Sequence, residues 1–132
     1  MRRVMKRDLW RYARQIQVIG EPAQRAVLAG RASVCGEGLA ATFEALYLAG
    51  AGIGTLEASP TLAGQAAALN GSIAVLAQRD LPEALGERVD NAILSEITDE
   101  SARAAAAGAL RALGTLAEAM AAFGQTGQAW HD

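Results

Sequence analysis

The chain has 132 residues, of which 52% are hydrophobic and 20% charged, and its formal net charge is −2. These values are typical of one globular domain with a sizeable core. The single cysteine, Cys35, excludes an internal disulfide and any metal site built from several cysteines. The longest charge-free run, 58–78, contains Pro60 and Asn70, so we expect no membrane span. Because no signal-peptide pattern begins the chain, we expect a cytoplasmic protein.

Helical and strand-like patterns alternate along the sequence. In chain order they predict a helix over 7–18, a short helix over 22–29, a strand over 32–35, a helix over 39–49 and a strand over 54–58. They continue with a helix capped by Thr61 and ending at Leu69, a strand over 72–77, a helical turn over 81–87 and a strand within 89–97. A long helix over 99–123 follows, capped by Thr98 and ended by Gly124.

Four alternations of strand and helix predict a mainly parallel sheet of about four strands, with right-handed crossovers and helices on both faces. We therefore expect a compact, Rossmann-like, three-layer α/β domain over 1–124, with an N-terminal helical arm over 6–29 and a loose tail over 125–132.

The long helix has a predicted apolar stripe and two glycines, Gly108 and Gly114, which would permit a second helix to approach closely. The apolar area of this stripe is larger than is needed to cover a four-strand sheet, so we expect a dimer or a complex. Its predicted members are Leu110, Leu113, Ala117, Met120 and Phe123.

A glycine turn lies between the first predicted strand and the next helix. It has the form Gly36-x-Gly38-x-x-Ala41, the pattern that opens a dinucleotide-type βαβ unit. Gly36 would permit the tight turn, Gly38 a close approach by a ligand or backbone, and Ala41 close packing of helix on strand. Glu37 places a negative charge where phosphates would lie.

Two further motifs flank this turn. Arg11-Tyr12-Ala13-Arg14-Gln15-Ile16 precedes it, and Tyr-Leu-Ala-Gly-Ala-Gly-Ile-Gly follows it over 47–54. Together, over about 10–56, they resemble the ThiF/MoeB/HesA family, the ATP-dependent activators of ubiquitin-like and sulfur-carrier proteins. The resemblance implies a Rossmann fold that binds ATP–Mg and adenylates the C-terminal glycine of a small partner protein. It also implies a dimer, and in some members of the family an arginine of the Arg-Tyr-x-Arg-Gln segment reaches the neighbouring subunit's ATP site.

The sequence departs from this family at most positions that carry its chemistry. The ribose-binding acid falls at or near Pro60, and the phosphate-binding lysine is absent because Lys6 is the only lysine. A paired Cys-x-x-Cys zinc site and a downstream catalytic cysteine are also absent. Asp99 could correspond to the family's metal-binding aspartate, but a first-turn helix residue is the favoured interpretation. Positions 32–78 contain no Lys, Arg or His, whereas a triphosphate needs several positive partners.

These departures favour a catalytically silent partner subunit that needs no cofactor and binds no metal. Gly36, Gly38 and Ala41 would then form a vestigial nucleotide turn. Arg11 and Arg14 would complete another subunit's site, in a homodimer or a heteromer with a full-length ThiF-like protein. The alternative is a small adenylyltransferase-like enzyme that still binds ATP.

A nucleic-acid-binding function is a third possibility, because six of the twelve basic residues fall within positions 1–14. The net charge of −2 and the small number of aromatic residues argue against it.

Overall fold

The structure is a computed structural model, and it describes residues 11–78 and 94–125. The described elements are three strands and five helices. In chain order they are α1 (Ala13–Ile19), α2 (Glu21–Ala29), β1 (Arg31–Ser33), α3 (Leu39–Ala51), β2 (Thr55–Ala58), α4 (Pro60–Leu69), β3 (Ala74–Ala77) and α5 (Glu100–Gln125).

The three strands form one parallel sheet in the order β1-β2-β3. Ala32, Leu56 and Val75 are neighbours in this register, and the first two are buried. These side chains point to the face that α3 and α4 cover, because two right-handed crossovers running in the same direction place both helices on one side. The predicted α/β, Rossmann-like domain is confirmed.

The opposite face of the sheet carries the alternate side chains of each strand. Arg31, Ser33 and Leu76 on this face are exposed, and Leu76 retains 42% of its accessible surface. A third layer on this face is therefore not seen in the part of the chain that the structure describes. Residues 89–93 of the predicted fourth strand and the predicted turn over 81–87 lie outside the described residues.

Several predicted boundaries need correction. Residues 94–97 form a helical turn and a loop rather than strand. The cap of α4 is Ser59, whose hydroxyl accepts from the Leu62 amide, and not Thr61. The cap of α5 is Asp99, whose carboxylate accepts from the Ala102 amide at 2.7 Å, and not Thr98. Gly124 does not end α5, which continues to Gln125.

The long helix α5 packs against α3 and α2 inside the same chain. Gly108 makes the closest contact, since a Cβ added there would lie 2.5 Å from the Ala40 carbonyl oxygen. Ala112 is buried in the core, and Leu116 and Met120 pack against that core. The buried face of α5 is thus rotated from the predicted stripe. Within that stripe, Leu113 is 60% exposed and Ala117 is exposed.

Candidate functional site

The glycine turn lies at the carboxyl edge of the sheet, where ligands bind in open α/β folds. Gly36 has φ +85°, a left-handed conformation that glycine adopts without strain, and the chain bends at the next two residues. Gly38 precedes α3, and a Cβ at either glycine would meet no atom within 4 Å. Ala41 is buried in the core, as expected for close packing of α3 on the sheet.

The first turn of α3 has backbone amides that no side chain caps. Thr42 donates its hydroxyl back to the Gly38 carbonyl, so it does not serve as a cap either. Free amides at a helix N-terminus attract an anion through their partial positive charge. The side chain beside them is the exposed Glu37, which opposes an anion at the same place.

The remaining described groups at this edge do not add positive charge. The Ser59 hydroxyl caps α4, and Pro60, the position expected for a ribose-binding acid, begins that helix. No Lys, Arg or His occurs over 32–78. Arg79 follows Gln78 in the sequence but lies outside the described residues.

Glu57 is a buried acidic residue that the sequence analysis missed. It lies within β2, its side chain is 10% exposed, and it forms an ion pair with Arg31. Ser33 lies beside the pair, with its hydroxyl 3.5 Å from the carboxylate. A glutamate between two apolar residues, Leu56 and Ala58, in a predicted strand was the signal, because a charge that is buried there needs a partner on the neighbouring strand.

Arg11 and Arg14, the predicted donors, both lie on the surface. Neither forms an ion pair with a carboxylate among the residues that the structure describes. The residues between and beside them have a different environment, since Tyr12 is 4% exposed and Gln15 is half-buried.

A cluster of polar side chains caps the buried carboxyl end of α3, and we call it the α3 cap cluster. Its members are Tyr12, Gln15, Gln24 and Asn70. Gln15 and Gln24 each donate to the Ala51 carbonyl at 3.0 Å, and Gln15 also donates to the Gln24 side chain. The last carbonyls of a helix have no partner within the helix, so these amides satisfy acceptors that would otherwise be buried without a bond.

Asn70 joins the same cluster from the end of α4. Its amide group donates to the Ala49 carbonyl at 2.8 Å and to the Tyr12 hydroxyl at 2.6 Å, and its carbonyl oxygen accepts from the Ser72 amide. The Tyr12 ring lies directly over Gly52. The first and last motifs of the resemblance are therefore in contact, which gives a physical reason for their occurrence together.

A cavity of about 360 Å³ opens between α3 and α5, next to the cap cluster. Its walls are almost entirely apolar, and two residues of the surrounding surface, Tyr47 and Leu113, are 52% and 60% exposed. We call this the α3–α5 surface. Its lining residues are Gln15, Leu46, Tyr47, Gly50, Ala51, Ala109, Ala112, Leu113 and Leu116.

A metal site is not found within the described ranges, where no three His, Cys, Asp or Glu side chains are grouped to hold an ion. The Asp99 carboxylate is used as a helix cap, one position before the first-turn place that the sequence favoured for it. Across residues 11–78 and 94–125, no helix has the length and apolar character needed to cross a membrane.

No family model matches the chain, and a search of curated proteins gives no match.

Proposed function

We propose that the chain is a non-catalytic partner subunit that binds a full-length ThiF-like adenylating enzyme, or a second copy of itself, in the cytoplasm. It uses no cofactor of its own. It contributes Arg14, and with it Arg11, to the phosphate-binding site of the neighbouring subunit. The resemblance of the motifs over 10–56 supports the class of partner.

The contrast between two parts of the surface carries this proposal. The carboxyl edge has Glu37 and no cation among the described residues, which disfavours a triphosphate there. Arg14 is exposed and has no carboxylate partner within the described ranges. An exposed arginine that has no carboxylate partner among the described residues is available to a phosphate of another subunit.

The α3–α5 surface supports a protein partner at the same place. Gln15 lines the cavity and lies on the same turn of α1 as Arg14, although on a different face, so a partner broad enough to span both residues would contact Arg14 and this apolar surface. Exposed Tyr47 and Leu113 provide the kind of aromatic and aliphatic contacts that dominate protein interfaces.

Arg14→Ala tests the donor role in a complex with a full-length ThiF-like enzyme from the same organism. We expect the enzyme's ATP–pyrophosphate exchange to fall by at least about 100-fold, because an arginine supplied from a neighbouring subunit contributes orders of magnitude in rate. Arg14→Lys should also lower the exchange rate, since lysine cannot make the bidentate contact of arginine with a phosphate. Arg25→Ala is the matched control, because Arg25 pairs with Glu21 on its own helix. An unchanged exchange rate with Arg14→Ala in a stable complex would show that Arg14 is not the donor.

The uncapped amino end of α3 favours the alternative, a small nucleotide-binding enzyme of the adenylyltransferase type. Calorimetry of the isolated chain with ATP–Mg separates the two functions. Micromolar binding that is lost in Arg79→Ala would support the alternative, with Arg79 as the missing cation. No binding at millimolar ATP is the result that the partner-subunit proposal expects.

A further inference from the structure

Side-chain hydrogen bonds join the start of helix α1 to the body of the protein. The helix has seven residues, none of which is buried, and Val18 is 85% exposed. An isolated helix of this length is unstable in water. The contacts that hold it come from Tyr12, just before its first residue, and from Gln15 on its first turn.

The α3 cap cluster keeps the Ala49 and Ala51 carbonyls of α3 bonded when α1 leaves. The Ala51 carbonyl accepts from both Gln15 and Gln24, and the Gln24 bond does not involve α1. In the same way Asn70 keeps its bonds to the Ala49 carbonyl and the Ser72 amide without Tyr12. Release of α1 therefore leaves no buried carbonyl of α3 without a donor.

We propose that α1 opens and closes as a separate unit on an otherwise folded body, and that Tyr12 and Gln15 are positioning residues that hold Arg14 in place. The first half of this inference concerns the isolated chain, and only the role of Arg14 rests on the proposed function. In the closed state the backbone on both sides of Arg14 is fixed, because Tyr12 is buried and Gln15 is bonded to Ala51. A preordered arginine loses less conformational entropy when it binds a phosphate.

Hydrogen exchange of the full chain tests the opening. In the wild type, the Ile16 and Gly20 amides should exchange at least about 10-fold faster, relative to their unstructured rates, than the Val34 amide bonded to Glu57. In Tyr12→Ala/Gln15→Ala, the α1 amides should reach within about 10-fold of unstructured rates, while Val34 and Thr55 stay protected by at least about 100-fold. Val18→Ala is the control and should change neither group.

Two results would overturn the inference. Loss of protection at Val34 and Thr55 together with α1 would make α1 an integral part of the fold. Retained protection of α1 in the double variant would show that these two side chains do not hold it. If the double variant does not fold, Tyr12→Phe replaces it in the same hydrogen-exchange comparison of α1 with Val34 and Thr55. This milder change removes only the hydroxyl bonded to Asn70.

The partner complex separates this inference from the proposed function. If α1 opens selectively and Arg14→Ala lowers the partner's exchange activity, Tyr12→Ala/Gln15→Ala should lower that activity as well, and a normal activity would contradict the positioning role. If α1 opens selectively but Arg14→Ala has no effect, the donor function is wrong and the opening of α1 stands.

Discussion

Gly52 is required by two independent constraints that meet at one residue. It ends α3 in the left-handed conformation, with φ +91° and ψ +28°. A Cβ there would also lie 2.5 Å from the Tyr12 ring. The sequence analysis recognised the glycines after α3 as part of a motif, but the contact with Tyr12 could not be predicted, because 40 positions separate the two residues.

Gly52→Ala and Gly36→Ala separate these two constraints. Both residues have positive φ, but a Cβ at Gly36 meets no atom within 4 Å. Gly36→Ala should therefore lower the free energy of unfolding by about 1–2 kcal/mol, the cost of left-handed backbone alone. Gly52→Ala should cost about 1–3 kcal/mol more because the Tyr12 ring must move. Thermal unfolding measures both, and equal losses would show that the Tyr12 contact carries no energy.

At the scale of elements, the positions of the helices were predictable and the face that α5 buries was not. The capping and glycine signals gave α3 and α4 to within two residues. In α5 the alanines are so frequent that several phases of a 3.6-residue pattern fit almost equally well. Small residues, rather than the large apolar ones, determine which face of α5 is buried. Gly108 and Ala112 lie on that face because they let α3 approach closely.

Gly108→Ala and Gly114→Ala should have opposite effects although both replace a glycine within α5. A Cβ at position 108 would lie 2.5 Å from the Ala40 carbonyl oxygen and 2.8 Å from the Glu44 nitrogen, backbone atoms that cannot rotate away. We expect this change to cost about 1–3 kcal/mol. Position 114 is exposed and open, so alanine there should stabilise the protein by about 0.5–1 kcal/mol. Urea unfolding of the two variants is the measurement, and effects of the same sign would contradict the α3–α5 packing.

At the scale of the whole molecule, the alternation of strand and helix patterns predicted the parallel sheet. The motifs predicted which segments carry candidate functional residues. The α3 cap cluster was not predicted, because the motif over 11–16 contains Tyr12 and Gln15 but does not show which side chains of α2 and of the end of α4 they contact. The α3–α5 surface was missed for a related reason. A cavity depends on the relative placement of two helices, which periodicity alone does not determine.

Leu113→Glu should weaken association without unfolding the chain. The side chain is 60% exposed, so the free energy of unfolding should change by less than about 0.5 kcal/mol. A charge at the cavity would remain unpaired against an apolar partner and oppose the complex. Light scattering or a pull-down with the partner measures the effect, and Leu39→Glu, at the opposite end of α3 where the side chain is 47% exposed, is the control. Unaltered binding by Leu113→Glu would exclude this surface as the interface.

The 58 positions between Tyr12 and Asn70 also have a consequence for the order in which the chain folds. The segment that contains Tyr12 is synthesised before its hydrogen-bond partners, the Ala51 carbonyl and Asn70. Contacts between distant positions form only after the intervening chain has closed its own loops. We therefore expect α1 to dock after the folding transition state. Stopped-flow kinetics of Tyr12→Phe should then show faster unfolding at an almost unchanged folding rate, and slower folding would place the segment in the nucleus instead.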